Sequence, residues 1–282
     1  MRLSVAIAGE DAPQNTFVVW RGFESSIRKA SECGYHGVEL ALRDAAEIDP
    51  RDLEQWLERS GIEISCISTG QVFAASGLYF THPDPDRRER VVQVFAGLVR
   101  LAKDFGGMVN IGRARGFFAA DQPAGDARHL CVETAQRVAD IAGPLGVSLV
   151  VEPVNRYETN FINTLDEGAQ LIRSIDRPNI GLMPDLFHMN IEEAGIGESL
   201  VRHARLVRYV HFADSNRMSP GKGHLDFREV FSSLGEAGFD GWASVEILPI
   251  PQPDTAAREA ARHILPLITQ HNSRMVRREK GT

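Results

Sequence analysis

Four side chains that can bind a metal ion each stand at the end of a short apolar segment in the second half of the chain. These side chains are Glu152, Asp185, His211 and Glu246. They recur at intervals of roughly 30 residues, the length of one strand–helix unit. If the four segments are parallel strands, their carboxyl ends lie on one face of a sheet, and we expect the four side chains to converge there.

Any one of these residues has a simpler interpretation. A carboxylate that ends a strand is often the N-cap of the next helix, and a single histidine after an apolar strand is often a structural residue. The recurrence of such residues on four consecutive strands favours a metal site. Two glutamates, an aspartate and a histidine form a mainly oxygen donor set, which suits Mn²⁺, Mg²⁺ or Co²⁺ better than a structural thiolate zinc site does.

Such a site has a use in carbohydrate chemistry. A cation bound to neighbouring oxygens of a hydroxyketone acidifies the C–H bond between them and stabilises the enediolate that remains when the proton leaves. Glu152 and Glu246 lie on predicted strands five and eight, so they could flank a substrate, one removing a proton and the other delivering one to the opposite face. Asp185 and His211, between them, would hold the ion.

The whole chain alternates apolar segments with amphipathic ones. The predicted strands are residues 3–8, 37–41, 62–67, 107–111, 147–152, 180–183, 206–210 and 242–247. The predicted helices are residues 23–33, 50–59, 87–105, 127–145, 165–175, 192–204, 225–237 and 254–268. This pattern predicts a single (β/α)8 TIM barrel over residues 1–282, with 271–282 as a polar C-terminal tail that frays. A doubly wound sheet fits less well, because no G-x-G-x-x-G follows the first strand.

Composition narrows the class of protein. The formal net charge of −7 argues against general binding to nucleic acid or to a membrane surface, since such proteins collect positive charge. The cysteines, Cys33, Cys66 and Cys131, have neither metal nor redox spacing, and an odd, sparse count suits a reducing compartment. No apolar run approaches the ~18 residues of a membrane span. We therefore expect a cytoplasmic protein with no nucleic-acid or membrane partner.

Several motifs carry a resemblance to a known superfamily. They read Val151-Glu152-Pro153-Val154-Asn155-Arg156, Asn163-Thr164, Asp185-Leu186-Phe187-His188-Met189, His211-Phe212-Ala213-Asp214-Ser215-Asn216-Arg217 and Ser244-Val245-Glu246. Together they resemble the xylose isomerase-like TIM-barrel superfamily of sugar isomerases and epimerases. The pattern is most similar to that of the D-tagatose and D-psicose (ketose) 3-epimerases, with hydroxypyruvate isomerase-like proteins near by.

The resemblance implies roles for individual residues. The four side chains at the strand ends would coordinate a divalent ion, with Mn²⁺ expected ahead of Mg²⁺ or Co²⁺, and the two glutamates would also form the acid–base pair. Glu158, His188 and Arg217 match positions that hold substrate oxygens in that family. Each also has a structural alternative, as a surface ion pair or a packed histidine. The family further suggests a homodimer or homotetramer.

Other positions near the predicted strand ends carry weaker signals. Cys66 could line the substrate pocket or be a small buried hydrophobic residue. Glu39 could be a pocket residue or an internal salt-bridge partner. Lys222 and His224 could close over a ligand or lie in solvent.

The segment after the fourth strand departs from the ketose 3-epimerase pattern. Those enzymes usually surround the far end of the sugar with aromatic residues, whereas this segment reads Gly112-Arg113-Ala114-Arg115-Gly116. Two arginines there would favour a substrate with a carboxylate or phosphate over a neutral ketohexose. The alternative is that both arginines point to solvent.

The sequence therefore predicts a divalent-metal-dependent sugar isomerase or epimerase, with a ketose 3-epimerase expected first. The same residues would serve a hydroxypyruvate isomerase-like aldose–ketose isomerase or a keto-inositol-type dehydratase. Two other classes remain as alternatives. A non-catalytic sugar-binding barrel need not keep both glutamates, and a DNA-repair enzyme of the endonuclease IV type would need several zinc ions, more histidines and a basic groove.

Overall fold

Eight parallel strands lie at the centre of the protein and close into a barrel. The structure is a computed structural model, and it describes residues 1–13 and 16–280. The barrel strands are β1 (Arg2–Ala8), β2 (Gly37–Ala41), β3 (Glu63–Ser68), β4 (Met108–Asn110), β5 (Leu149–Val151), β6 (Ile180–Leu182), β7 (Tyr209–Phe212) and β8 (Trp242–Val245). A two-residue strand, Trp20–Arg21, also pairs with β1.

The ring is hydrogen-bonded from strand to strand except at one seam. Successive strands from β1 to β6 are hydrogen-bonded to one another, as are β7 with β8 and β8 with β1. Between β6 and β7 the connection consists of two isolated parallel bridges, Leu182 to Val207 and Asp185 to His211. The second bridge joins two of the predicted metal ligands, so the seam and the predicted site coincide.

Helices cover the outside of the barrel. They are α1 (Phe23–Glu32), α2 (Pro50–Ser60), α3 (Gly70–Ser76), α4 (Pro85–Phe105), α5 (Ala124–Ala142), α6 (Leu165–Ile175), α7 (Leu186–Glu192), α8 (Ile196–Arg202), α9 (Phe227–Glu236) and α10 (Pro253–Lys280). Local sequence explains several boundaries. Asp49 and Asp84 cap α2 and α4 and are each followed by proline, and both helices end at a glycine with positive φ, Gly61 and Gly106.

A buried polar chain fills part of the barrel interior beneath the strand ends. Ser65 Oγ lies 2.7 Å from the Tyr209 hydroxyl, which donates a hydrogen bond of 3.0 Å to Glu39 Oε2. All three side chains are buried. A buried polar group is costly without a partner, and here each of the three side chains has one. These hydrogen bonds connect strands β2, β3 and β7 and position Glu39 below the site.

The predicted (β/α)8 fold is confirmed, and most strands lie within two residues of their predicted bounds. The exception is β7, which begins at Tyr209 rather than at residue 206. The helix predicted over 192–204 corresponds to α8, and α7, which starts directly after β6 at the Asp185 cap, was not predicted. Helix α3 was not predicted. Within residues 1–13 and 16–280, no helix combines the length and apolarity needed to cross a membrane.

The prediction for the C-terminal segment was wrong over most of its length. Helix α10 continues past residue 268 to Lys280 instead of giving way to a frayed tail. His271 is buried, with Nε2 2.7 Å from the Phe239 carbonyl oxygen. Asn272 accepts a hydrogen bond of 2.7 Å from the Met1 amino group and donates one of 3.0 Å to the Met1 carbonyl. The last two residues, 281 and 282, lie outside the described part of the chain.

Candidate active site

The carboxyl ends of β5 to β8 bring four ionisable side chains together. Glu152 and Glu246 directly follow β5 and β8, His211 lies in β7, and Asp185 follows shortly after β6. One possible ligand atom from each side chain lies within 4.8 Å of the other three. The convergence that the sequence pattern predicted is therefore present, and every member of the set except half-buried Glu246 is buried.

Asp185 combines the two roles that the sequence left as alternatives. Its Oδ1 accepts hydrogen bonds from the backbone amides of Phe187 and His188, at 2.7 and 3.2 Å, and so caps α7. Its Oδ2 is buried and has no hydrogen-bond partner among the described residues. A buried carboxylate oxygen without a donor is costly, so this oxygen is suited to a cation.

His211 lies at the centre of the cluster. Its Nε2 is 3.0 Å from Glu39 Oε2, on the side of the barrel interior. Its Nδ1 faces the other three carboxylates, at 3.1 Å from Glu152, 3.6 Å from Asp185 and 3.7 Å from Glu246. Glu39 thus orients the imidazole from behind, the arrangement by which carboxylates commonly fix a metal-binding histidine.

The charges of the cluster also favour a cation. Burial raises the pKa of Glu246 to about 8, although His211 and Arg217 oppose the effect. Burial would also raise the pKa of Glu152, but His211 lowers it below the usual value. Burial would lower the pKa of His211, yet Glu39, Glu246 and Glu152 raise it well above its usual value. The carboxylates therefore favour positive charge at this point, and a divalent cation would supply it.

Arg217 and His188 form a second layer next to Glu246. Arg217 Nη2 donates to Glu246 Oε2, and Arg217 Nη1 lies 3.2 Å from His188 Nε2. The guanidinium carbon is 3.9 Å from the ring centroid of Phe17 and 4.8 Å from that of Phe187. Stacking between two rings holds the guanidinium in one orientation. Burial lowers the pKa of His188, which keeps its imidazole neutral.

One cavity opens over this cluster. Its lining includes Glu152, Glu158, His188, Arg217 and Glu246, together with Phe17, Gln71, Asn110, Arg113 and Val154. Asp185 and His211 contact the lining residues from beneath. The two predicted acid–base residues and three of the predicted substrate-binding residues thus share one space.

Cys66 does not belong to this space. Its side chain is fully buried in a core cluster with Val150, Met183, Tyr209 and Trp242, and the residue is not part of the cavity lining. The prediction that Cys66 binds substrate was wrong, because β3 turns this side chain into the packed interior of the barrel. The thiol fills space there as a small apolar group.

The loop residues Lys222 and His224 do not line the cavity either. Lys222 Nζ pairs with Glu259 Oε1 at 3.1 Å, and His224 Nδ1 lies 2.9 Å from Ser215 Oγ. Both side chains are exposed and hydrogen-bonded within their own surroundings. Of the two alternatives that the sequence left open, the solvent-exposed loop is the one observed.

Asn110 is a site residue that the sequence analysis missed. Its Nδ2 donates a hydrogen bond of 2.9 Å to Glu152 Oε2, and its Oδ1 accepts one of 2.7 Å from the Gly112 amide. The sequence contained the same signal for Asn110 as for the four candidate ligands, because Asn110 is also a polar residue at the end of an apolar strand. Gln71 and Phe17 gave no such signal, since neither follows a predicted strand.

The fold and the site together define a class of protein. Three carboxylates and an imidazole gathered at the carboxyl ends of the strands of a (β/α)8 barrel, beneath an open cavity, are the arrangement of a cation-dependent enzyme of this fold. The chain belongs to the xylose isomerase-like TIM barrel family, whose model matches residues 27–267.

Relatives of known function lie within this family. The chain is 32% identical over 223 residues to a ketose 3-epimerase of Arthrobacter globiformis, a match that covers 78% of this chain and 75% of the relative. It is 30% identical over 222 residues to an L-ribulose 3-epimerase of Mesorhizobium japonicum, covering 77% of this chain and 72% of the relative.

Solved structures show the same fold. A D-allulose 3-epimerase from Methylomonas sp., in complex with D-allulose, superposes with a TM-score of 0.81 at 25% identity, covering 96% of this chain and 97% of that one. An AP endonuclease of family 2 from Brucella melitensis superposes with a TM-score of 0.76 at 19% identity, covering 91% and 96%. Since such differently named proteins share the fold, function must be argued from the site.

Proposed function

We propose that the protein is a divalent-metal-dependent sugar epimerase that inverts a carbon atom next to the carbonyl group of a small ketose. The observation that carries this proposal is the position of Glu152 and Glu246, which line one cavity and also belong to the cluster with Asp185 and His211. The relatives support the reaction class, since two of them are 3-epimerases of ketoses.

The four residues of the cluster would hold the ion. When bound, a divalent cation would polarise the oxygens of the substrate and acidify the neighbouring C–H bond. Glu152 and Glu246 come from β5 and β8, which are separated by β6 and β7 in the chain and by the irregular seam in the sheet. One glutamate would take the proton from the substrate carbon, and the other would return a proton to the opposite face.

The substrate would be oriented by three further residues of the cavity. Arg217 presents a fixed guanidinium to a hydroxyl or carbonyl oxygen. His188 lies in the cavity lining with Nε2 3.2 Å from Arg217 Nη1 and Nδ1 2.7 Å from Asn155 Nδ2, so it would help to orient the guanidinium toward the substrate. Glu158 Oε1, 3.9 Å from Arg217 Nη1, can accept a hydrogen bond from a substrate hydroxyl.

Hydrogen exchange with solvent tests this reaction directly. The full chain would be incubated in D₂O with Mn²⁺ and a panel of ketoses, with and without a chelator. We expect deuterium at C3 and loss of exchange when the chelator is present. Deuterium at C1 or C2 would indicate aldose–ketose isomerisation instead, and the loss of water from the substrate would indicate a dehydratase. No exchange with any ketose would contradict the proposal.

Glutamine variants of the two glutamates sharpen this experiment. Glu152→Gln and Glu246→Gln keep the shape of the side chain and remove its capacity to carry a proton between carbon and solvent. We expect both variants to lose epimerisation by several orders of magnitude. Glu198→Gln, in the exposed part of α8, is the matched control and should epimerise at the wild-type rate.

We propose Mn²⁺ as the ion, with Mg²⁺ and Co²⁺ as alternatives, because the donor set is mainly oxygen with one imidazole. We propose a single barrel domain over residues 1–282, in the cytoplasm, where the free thiols of Cys33, Cys66 and Cys131 would persist. A homodimer or homotetramer is proposed on the family resemblance alone.

A further inference from the structure

The two arginines that follow β4 are in different environments. Arg115 is fully buried, and its guanidinium donates to three backbone carbonyl oxygens, those of Phe161 at 3.0 Å, Gly112 at 2.7 Å and Ile162 at 2.9 Å. Neither alternative from the sequence analysis therefore applies to Arg115, which neither faces a ligand nor points to solvent. It holds the loop after β4 against the segment around residue 161.

Arg113 is half-buried and lines the cavity of the candidate active site. Its guanidinium carbon lies 5.1 Å from the ring centroid of Phe73 on α3. Phe73 is in turn packed edge-on against Tyr79 and Phe117, so the arginine rests on a cluster of aromatic rings. A cation over an aromatic face is oriented by it, while its N–H donors at the edge remain available.

Among the described residues, no carboxylate pairs with Arg113. Across the described part of the chain, the Arg113 side chain makes neither a hydrogen bond nor an ion pair. Arg217, the other arginine of the cavity lining, is surrounded by Glu246, Asp185 and Glu158. Arg113 therefore brings to the cavity lining a positive charge that no carboxylate of the described residues pairs with.

The position of Arg113 relative to the reacting groups is set by its loop. The preceding residue, Gly112, donates its amide hydrogen to Asn110, and Asn110 donates to Glu152. On the other side of Arg113 lies α3, whose Gln71 also lines the cavity. Gln71 Nε2 donates to the Ala41 carbonyl at 3.0 Å, but its buried Oε1 has no partner among the described residues, so this oxygen can accept a hydrogen bond from a substrate hydroxyl.

We propose that Arg113 and Gln71 form a subsite for an anionic terminus of the substrate, a carboxylate or a phosphate, on the side of the cavity next to α3. Arg113 would bind the anion through paired N–H donors, and Gln71 would accept from a hydroxyl close to it. The subsite deepens the proposed function, on which it rests for the identity of the reaction. It changes the expected substrate from a neutral ketose to a ketose that carries a negative charge at one end.

Binding of ligands that cannot react tests the subsite by itself. A pentitol, the corresponding pentitol phosphate and the corresponding pentonate lack the ketone, so their binding does not depend on epimerisation. Their affinities for the Mn²⁺-loaded full chain would be measured by calorimetric titration. We expect at least one of the two anionic ligands to bind roughly 10- to 100-fold more tightly than the neutral pentitol, the range of a charged hydrogen-bonded pair. Whichever of the two anionic ligands binds more tightly shows whether the subsite prefers a phosphate or a carboxylate.

Variants assign this preference to one side chain. Arg113→Gln should bind all three ligands with similar affinity, and Arg113→Lys should keep part of the preference. Arg100→Gln, at an exposed position of α4, removes the same charge from the molecule and should leave the preference unchanged. Equal binding of neutral and anionic ligands by the wild type, or binding of none of them, would overturn the proposal.

Two further outcomes separate this proposal from the proposed function. A preference that persists in Arg113→Gln would place the anion on the metal centre and would overturn the subsite. If the preference depends on Arg113 but no ketose exchanges hydrogen with solvent, the subsite stands and the proposed reaction fails. If neutral ketoses exchange hydrogen with solvent but no binding preference depends on Arg113, the proposed reaction stands and the subsite fails.

Discussion

At the scale of single residues, a side chain in this site can satisfy a structural and a chemical role at once. One oxygen of Asp185 caps α7, and the other is buried without a donor. From sequence alone these roles are competing interpretations of an aspartate after a strand. The structure shows that they use different atoms, so a helix cap here also holds a candidate ligand in place.

This division of roles predicts the behaviour of Asp185→Asn. Asparagine is as good an N-cap as aspartate, so the stability of the metal-free protein should change by no more than about 1 kcal/mol. The affinity for Mn²⁺ should fall by more than about 10-fold, since even the mutation of residues that only hydrogen-bond to a metal ligand produces such losses. Calorimetric titration with Mn²⁺ and urea unfolding without metal measure the two effects.

A second cap provides the matched control for this variant. Asp226 caps α9 through bonds of 2.8 and 3.3 Å to the amides of Arg228 and Glu229, nearly the geometry of Asp185, and it does not line the cavity. Asp226→Asn should bind Mn²⁺ with wild-type affinity. If Asp185→Asn also bound Mn²⁺ normally, Asp185 would be a cap only.

Substitution of the two neighbouring arginines, Arg115 and Arg113, should affect stability to different extents. Arg115→Gln would leave the carbonyl groups of Phe161, Gly112 and Ile162 without their donors in a buried place, which should lower the free energy of unfolding by about 3 kcal/mol or more. Arg113→Gln breaks no hydrogen bond of the described structure and should stay within about 0.5 kcal/mol of wild type. Urea unfolding compares the two variants, and equal losses would refute the assignment.

At the scale of elements, the strands and helices were predictable where one local signal decided the outcome. Asp49-Pro50 and Asp84-Pro85 start helices because the aspartate caps and the proline suits the first turn. The start of β7 was predicted too early, because residues 206–208 have the composition of a strand but belong to the irregular seam, where pairing is sparse. That irregularity depends on partners distant in sequence, which composition cannot reveal.

Contacts between residues distant in sequence also limited what could be predicted for the site and for α10. The convergence of the four ligands followed from periodicity alone, because parallel strands align their ends. The burial of Cys66 and Arg115 did not, since it depends on which way a side chain faces in the folded barrel. The polar residues after 268 suggested a frayed tail, but His271 and Asn272 find partners at Phe239 and Met1.

The anchoring of α10 predicts a pH-dependent effect of His271→Ala. The histidine is buried and hydrogen-bonded, so its loss should cost roughly 1–3 kcal/mol of unfolding free energy near pH 8. Burial lowers the pKa of His271, so its stabilising effect is complete above the unfolded-state pKa and declines as the pH falls through that value. The difference between variant and wild type should therefore be smaller at pH 5 than at pH 8.

Urea unfolding at the two pH values measures this difference. Gln270→Ala, at the exposed position next to His271, is the control and should stay within about 0.5 kcal/mol of wild type at both pH values. A difference for His271→Ala that grows as the pH falls would contradict the neutral, hydrogen-bonded state of the histidine.

At the scale of the whole molecule, the candidate metal centre lies where the barrel is least regular. The seam between β6 and β7 has two isolated bridges, and one of them joins Asp185 to His211. Glu152 and Glu246 approach the same point from β5 and β8, the next strand on each side of the pair that forms the seam. A cation held by all four residues would tie β5, β6, β7 and β8 together, so catalysis and the closure of the barrel would depend on the same ion.

Metal binding should therefore stabilise the entire fold. At a free Mn²⁺ concentration 100 times the dissociation constant, the free energy of unfolding should rise by about 2.7 kcal/mol, because the ion binds the native state alone. Thermal unfolding with and without Mn²⁺ measures the gain, and a chelator should reverse it. Hydrogen exchange should locate the added protection at residues 182–185 and 207–211. Sodium chloride at equal ionic strength should produce neither effect. An equal gain from Mn²⁺ in the Asp185→Asn variant would show that the ion binds elsewhere and that the seam closes without it.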